Sequence, residues 1–529
     1  MTHSTTERMP PGIPNIVVNE FAERFCFYGI NSILSVYMVN FLHFGEAQAT
    51  TWQSLFKSGA YFFPLLGAVV SDVFLAKFRT IVLFSLVYCA GCAVLAFGAG
   101  AQTLAMGLFL IAFGTGGIKP CVSTNVGDQF TDKNAHLIER AFSWFYLSIN
   151  AGSLISIWLC PILLPHYGPR LAFGVPGIVM FTAVLVFWSG RGRFAVVPPA
   201  GRAWLTDVLS ASGLKTIVNL LVIYLFIAFF WALWDQSNGT TWTLQAQSSL
   251  MNKNLGFGLV LLPAQIQVVN ALFILILVPL FSYVFYPFWE KFFTVTPLRK
   301  IGIGLFVTAS SFVVVAWIEA RIQSGHVVDV WWQIFAYALL TAGEVLVSIT
   351  GLEFSYRQAP LRMKSFIMAL FYLSVSLGNL FTAGVNHYMV RPLAATAIET
   401  GAETWVQLTD VSPFVVGQKI DFAGKTGIET MSVDGKAGTL EGTYLIAAID
   451  GAGNRVELMD AIERKPVASR GHFDAVAAQV STYALVGPIY FLFFAAIMVV
   501  AAILFIFVAM IYRERSYVRH DGSASATAA

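Results

Sequence analysis

The chain has 529 residues, of which 57% are hydrophobic and only 12% charged, with a net charge of +3 and a mean hydropathy of +0.71. That balance excludes a soluble globular core with a single anchor and gives no reason to expect a nucleic-acid partner. It describes an all-α polytopic membrane protein.

The opening MTHSTTERMPPG lacks the short apolar core and cleavage site of a signal peptide. Apolar stretches long enough to cross a bilayer then recur along the chain. Twelve spans are predicted, at about 15–43, 51–70, 79–99, 103–123, 141–163, 170–190, 215–237, 258–289, 299–319, 330–354, 364–390 and 482–512. The polar, Gly/Pro-rich stretch 191–214, with GRGRFAVVPPAGR in it, links an N-terminal six-helix half (1–190) to a C-terminal half whose spans seven to eleven fill 215–392. Residues 393–480 hold no apolar run of spanning length; they alternate TWVQL, FVVGQKIDF, GTYLIAAID and NRVELMD with turns such as DGKAG and DGAGN. These are strand and turn signals, and they predict a small β-rich domain, most simply a cap or spacer, before the last span and tail at 481–529.

Loop charge predicts the orientation. Lys77, Arg79, Lys133, Arg140, Arg191, Arg193, Arg202, Lys291, Arg299, Lys300, Arg362, Lys364, Arg513 and Arg515 fall on one side, and Arg170, Lys253 and Arg321 on the other. Positive charge stays inside, so both termini are expected in the cytoplasm and the β-rich insertion on the exterior face. Six plus six spans with both ends inside is the plan of a two-halved secondary transporter, whose site lies between the halves near the midplane. The five cysteines, Cys26, Cys89, Cys92, Cys121 and Cys160, all sit in apolar segments. Cys89 and Cys92 have C-x-x-C spacing but no further ligand nearby, so they read as helix packing, with no disulfide framework and no metal site.

Ionisable groups inside spans carry the functional signal, because each costs roughly 2.5–3.5 kcal/mol to insert at a helix centre. In NEFAERFCFYGINS, Glu20, Glu23 and Arg24 are spaced i, i+3, i+4 on one face, which Tyr28 and Asn31 extend. FGTGGIKPCVSTNVGDQF places Lys119 after a glycine run and before Pro120, where a locally broken backbone is expected. FYLSINAGSL brings Asn150, FFWALWDQ brings Trp231 and Asp235, QIQVVNALF brings Asn270, and TAGEVLVSITGLEFSYRQAP brings Glu344. Acids and bases spread over the first, fourth, seventh and tenth spans describe a polar cavity between two halves, suited to a ligand carrying both charges and to protons that drive it.

These segments resemble the proton-dependent oligopeptide transporter (peptide transporter) family of the major facilitator superfamily. Glu20, Glu23 and Arg24 match its ExxER motif, and GTGGIKPCVS with GDQF, FYLSINAGSL, FWALWDQ and GEVLVSITGLEFSYRQAP look like its other signatures. The resemblance implies a twelve-helix major facilitator fold. It implies a proton-coupled symporter that imports di- and tripeptides by alternating access, needs no cofactor beyond protons and is not an enzyme. It further implies that Glu20, Glu23 and Arg24 couple protons, that Arg24 and Lys119 hold the peptide carboxylate and that Tyr28 and Tyr61 line the site. Asn150, Asn270 and Glu344 would receive the amino group, Trp231 would wall a side-chain pocket, and Lys119, Asp235 and Glu344 would gate.

A monomer in the plasma (inner) membrane is expected, with lipid and small peptides as its partners. Three positions depart from the family pattern: Asn31 stands where an arginine is usual, Ser54 where some members have histidine, and Phe371 where tryptophan is common. The 393–480 insertion is also outside the resemblance, since animal members carry their exterior domain between spans nine and ten. Other anionic or zwitterionic solutes are the alternative cargo, and a receptor or scaffold built on the insertion is a remote alternative. An intramembrane enzyme would need paired groups such as H-E-x-x-H or G-x-S-x-G, and neither motif occurs.

Overall fold

The structure is a computed structural model that describes residues 8–130, 134, 137–195, 210–256, 258–358, 364–431 and 437–512. Most of the expected connector 191–214 lies outside the described residues, as do Lys133, Arg202, Arg362, Arg513 and Arg515 among the orienting charges.

A backbone in lipid must satisfy its own hydrogen bonds, so each long apolar stretch closes into a helix. Among the described residues, ten such helices are long and apolar enough to cross a membrane. One of them, Arg140–Ser189, is two crossings joined at Gly168, whose φ of 77° reverses the chain at a conformation that L side chains rarely adopt. Ile13–Asn40 adds another crossing, its hydropathy lowered by its charges. We number the crossings α1 (Ile13–Asn40), α2 (Glu46–Leu75), α3 (Lys77–Phe97), α4 (Ala101–Asp128), α5 (138–167), α6 (169–189), α7 (Ala211–Ser237), α8 (Pro263–Trp289), α9 (Pro297–Gln323), α10 (330–358), α11 (Lys364–Tyr388) and α12 (Pro488–Ile511). A short helix, Thr241–Gln247, follows α7.

The helices form two halves with separate cores. One is built from Ile16, Phe27, Phe56, Phe84, Tyr88 and their neighbours in α1–α6. The other is built from Phe230, Trp242, Phe312, Tyr337, Phe494 and theirs in α7–α12. Tyr61 of α2 packs against both cores, and α2 lies along α11 at the junction. The expected break at Lys119–Pro120 is absent, because α4 is continuous through Pro120. Its glycines instead let neighbours in: a Cβ on Gly116 would lie 2.3 Å from Phe63 Cβ, and one on Gly117 would lie 2.1 Å from Phe84 Cγ. None of the five cysteines forms a disulfide among the described residues, and four of them are buried.

Between α11 and α12 stands a β domain with its own core of Val406, Ile420, Phe422, Ile446, Val456 and Leu458. After the short parallel pair β1 (Met251–Asn252) and β2 (Val328–Asp329), its strands are β3 (Val390–Leu393), β4 (Ala395–Glu399), β5 (Trp405–Leu408), β6 (Lys419–Gly424), β7 (Ile428–Met431), β8 (Ala437–Thr439), β9 (Gly442–Asp450), β10 (Arg455–Asp460), β11 (Ala468–Gly471) and β12 (Ala478–Tyr483). Seven form an antiparallel sheet in the order β3-β12-β6-β9-β10-β5-β4, and three form a second sheet, β11-β7-β8. The sequence pieces that alternate best, TWVQL and NRVELMD, bury alternate residues as period two requires. The predicted twelfth span begins too early, since residues 478–483 pair with β6 and β3 as a strand and α12 starts at Pro488.

Candidate functional site

On α1 the expected face exists. Arg24 Nε lies 2.7 Å from Glu20 Oε1 and 3.3 Å from Glu23 Oε2, and both acids are almost fully buried. The Thr115 hydroxyl of α4 donates to Glu23. One helical face thus holds two carboxylates against a single guanidinium. Lys119, one turn further along α4, is 8% exposed, and its ammonium has no hydrogen-bond partner among the described residues. It lies 4.1 Å from the ring centroids of both Phe27 and Tyr61, a cation–π placement that neutralises no charge.

The facing acid is Glu344, where α10 loosens into a π-helical stretch, Val345–Ile349, an irregularity frequent at functional sites. Glu344 Oε2 accepts from Trp234 Nε1 at 2.7 Å and from Asn270 Nδ2 at 2.8 Å. Asn270 also donates to the Thr341 hydroxyl. No cation lies within ion-pair distance of Glu344 among the described residues. Lys119 and Glu344, both expected to gate, are therefore not paired in this conformation: neutral donors hold the acid and two aromatic rings hold the base. A cavity of 270 Å³ lies between the halves, lined by Tyr28, Asn150, Trp234, Asn270, Tyr337 and Glu344 among others. Asn150 faces it while donating to the Tyr146 carbonyl of its own helix, and Tyr28 is within electrostatic reach of both Arg24 and Glu344.

Two aromatic positions are displaced along their helices, one by about a turn and one by a single residue. Trp231 does not line this cavity; it is buried edge-on to Trp234, 5.4 Å between ring centroids, and Trp234 is the ring that faces Glu344. Phe371 packs edge-on against Tyr224 in the core, while its neighbour Tyr372 approaches Tyr61 at 6.1 Å.

Asp235 closes the bundle toward the β domain, and its cation is one that the sequence reading passed over. Lys57 of α2 lies 3.6 Å from Asp235 Oδ1, and its ammonium donates to the carbonyls of Asp235 and Asn238 at 2.7 Å each. Asn379 donates to the other carboxylate oxygen. Asn31 serves as a neutral spacer, donating to the Asn238 carbonyl at 2.9 Å and accepting from Gln53, while the Ser35 hydroxyl donates to Gly239 O at 2.6 Å. The signal for Lys57 was present, since QSLFKSGAYFF holds a lone lysine in an apolar run, the criterion that selected Lys119. Ser54, a turn away, is buried and carries no charge.

Two helical halves around a polar cavity, with tyrosine and asparagine from one and a carboxylate from the other, define a polytopic integral membrane protein of the two-halved carrier type. The sequence matches the POT family over residues 78–212 and 203–406, and the chain belongs to that family. It is 39% identical over 364 residues to human solute carrier family 15 member 2, covering 59% of this chain and 49% of that protein. It is 37% identical over 361 residues to peptide transporter family 1 of Drosophila melanogaster, 59% of this chain and 48% of that protein. The chain spans about half the length of these curated relatives. Among solved structures it resembles an auto-inhibited POT family peptide transporter at TM-score 0.71 and 28% identity, covering 97% of this chain and 99% of that one. It also resembles the POT family transporter PepTSo at TM-score 0.66 and 35% identity, covering 72% of this chain and 90% of that one. The fold is the major facilitator fold of that family, with a β-rich insertion.

Proposed function

We propose that this chain is a proton-coupled symporter that imports di- and tripeptides by alternating access. One observation carries the reading: among the described residues, a buried ammonium without a hydrogen-bond partner on the N-terminal half, Lys119, and a half-buried carboxylate without a cation on the other half, Glu344. Leaving buried charges uncompensated costs several kcal/mol each, so the pair favours a ligand that brings a carboxylate to one and an ammonium to the other. A short peptide is a zwitterion with its charges at opposite ends.

In this reading Arg24 and Lys119 take the carboxylate, with Tyr28 and Tyr61 beside it, and Asn150, Asn270 and Glu344 take the amino group. Trp234 joins them as the indole that fixes Glu344, with Trp231 behind it. Glu20 and Glu23, sharing Arg24, take up the driving proton, and Asp235 with Lys57 closes the exterior. The protein works as a monomer in the plasma (inner) membrane, both termini in the cytoplasm and the β domain outside, with protons as the coupling ion and no other cofactor. The test is uptake of a labelled dipeptide into liposomes of the purified protein, with the outside acidified. Accumulation that requires the gradient and is blocked by unlabelled dipeptides supports the reading; its absence under a verified gradient overturns it.

A further inference from the structure

The N-terminus of α2 is capped by another part of the molecule. Its cap residue, Gly45, offers no side chain to the first free N–H groups of the helix, which ordinarily need an acceptor. The β domain supplies two. The Glu46 N–H donates to the Thr443 hydroxyl at 3.1 Å, and the Ala47 N–H donates to the Tyr483 hydroxyl at 3.3 Å. Both hydroxyls in turn donate to Asp421, which places a carboxyl group behind the positive end of the helix dipole. Lys419 Nζ pairs with Glu46 Oε2 at 2.6 Å. The fit is tight: a Cβ on Gly45 would fall 1.9 Å from Asp421 Oδ2, although the backbone there (φ −62°, ψ 150°) suits any residue.

On its other side the β domain belongs to the C-terminal half. It is covalently strung between α11 and α12, the Ala484 N–H donates to Met389 O at 2.7 Å, and the Ser249 N–H after α7 donates to Ile462 O at 2.9 Å. Gly417 sits against Gln323 at the end of α9. A cavity of 310 Å³ at this seam is lined from all three directions, by Asn40 and Glu46, by Gln245 and Glu319, and by Lys419 and Thr443. Directly beneath it lies the closure made by Lys57 with Asp235 and by Ser35 with Gly239.

We propose that the β domain is a latch: carried by the C-terminal half, it grips the head of α2 in the N-terminal half and holds this end of the bundle shut. The two halves cannot part at this end without breaking the Glu46–Lys419 pair and both caps on α2. This rests on the alternating-access reading above, in which that parting occurs in every cycle, so the seam sets the rate at which the exterior opens.

The experiment reads opening without cargo. A reporter, Ser35→Cys, sits buried beneath the seam, and its labelling by a membrane-impermeant maleimide added from the β-domain side is timed against the same chain without the reporter. Lys419→Glu and, separately, Gly45→Ala are expected to raise the labelling rate a few-fold, to at most about tenfold if roughly 1.4 kcal/mol of closure is lost. The exchanged pair Glu46→Lys/Lys419→Glu should return the rate toward that of the parent. Should Lys419→Glu fail to fold, as judged by size exclusion, Lys419→Met with Gly45→Ala carries the same test. Equal rates in parent and variants, with peptide uptake intact, overturn the latch and leave the transport reading standing. Faster labelling in a protein that accumulates no peptide under a verified gradient supports the latch and overturns that reading instead.

Discussion

Glu20, Glu23 and Arg24 form a cluster with more acid than base, and a second positive group, Lys119, stands one turn away on α4. Replacing Glu20 and Glu23 together by glutamine is expected to abolish gradient-driven uptake while sparing downhill counterflow. One elementary charge moved across 100 mV is worth roughly 2.3 kcal/mol, about fifty-fold in accumulation, so the loss is easily read in liposomes. Acid-driven accumulation by the double variant would refute the coupling assignment. Glu344→Gln should weaken binding of free dipeptides far more than binding of N-acetylated ones, because only the former carry an ammonium; equal losses would remove Glu344 from the amino-group site. Lys57→Met should leave Asp235 buried without its cation, a change on the order of 3–5 kcal/mol. It should lower the thermal midpoint, and adding Asp235→Asn should recover most of it. If the double variant is no more stable than the single one, the two groups do not act as a pair.

Helix contacts in this bundle depend on how closely backbones approach. Gly117 abuts Phe84 so tightly that a methyl group would overlap the ring, and overpacking of this kind costs on the order of 1–3 kcal/mol. Gly117→Ala should therefore lower the thermal midpoint in detergent, and Gly117→Ala/Phe84→Ala should regain part of the loss. A neutral Gly117→Ala would mean that α3 and α4 slide apart without penalty. The same element shows why its lysine was legible while its shape was not. A proline in an apolar run is a real break signal, yet the glycines before it let α2 and α3 press against α4, and packing keeps the helix continuous.

At the scale of the molecule, two helical cores and one β core are joined through few polar contacts, and the seam at Asp421 is where proton binding and folding meet. Burial pushes the Asp421 carboxyl up to about 7; the hydroxyls of Tyr483 and Thr443 and the charge of Lys419 pull it down, and Glu46 adds to the rise. At Lys419 burial works against the charge, and the carboxylates of Glu46, Glu319 and Asp421 together outweigh it, so that group is raised. A carboxyl raised in the folded state holds its proton more tightly there. Its contribution is therefore complete below the unfolded value near 4 and is lost as pH climbs through about 7. The β domain should lose about 1 kcal/mol of stability between pH 6 and pH 8, seen as a falling unfolding midpoint, and Asp421→Asn should flatten that slope. Parallel slopes in the two proteins would exclude Asp421 as its source.

Hydropathy determined the crossings, because lipid leaves a long apolar stretch no alternative to a helix. Alternation and turn residues determined that 393–480 is β-rich, and the rarity of charge in lipid picked out Glu20, Glu23, Arg24, Lys119, Asp235 and Glu344 from one strand of text. The tertiary structure alone decided their partners. Lys57 reaches Asp235 from another half of the molecule, at a separation of 178 residues. Trp234 rather than Trp231 meets Glu344, since three residues along a helix carry a side chain through most of a turn and up the axis. The cap on α2 comes from Thr443 and Tyr483, nearly four hundred residues or more downstream. Local sequence records which groups must be compensated; which group compensates them is set by the packing of distant elements.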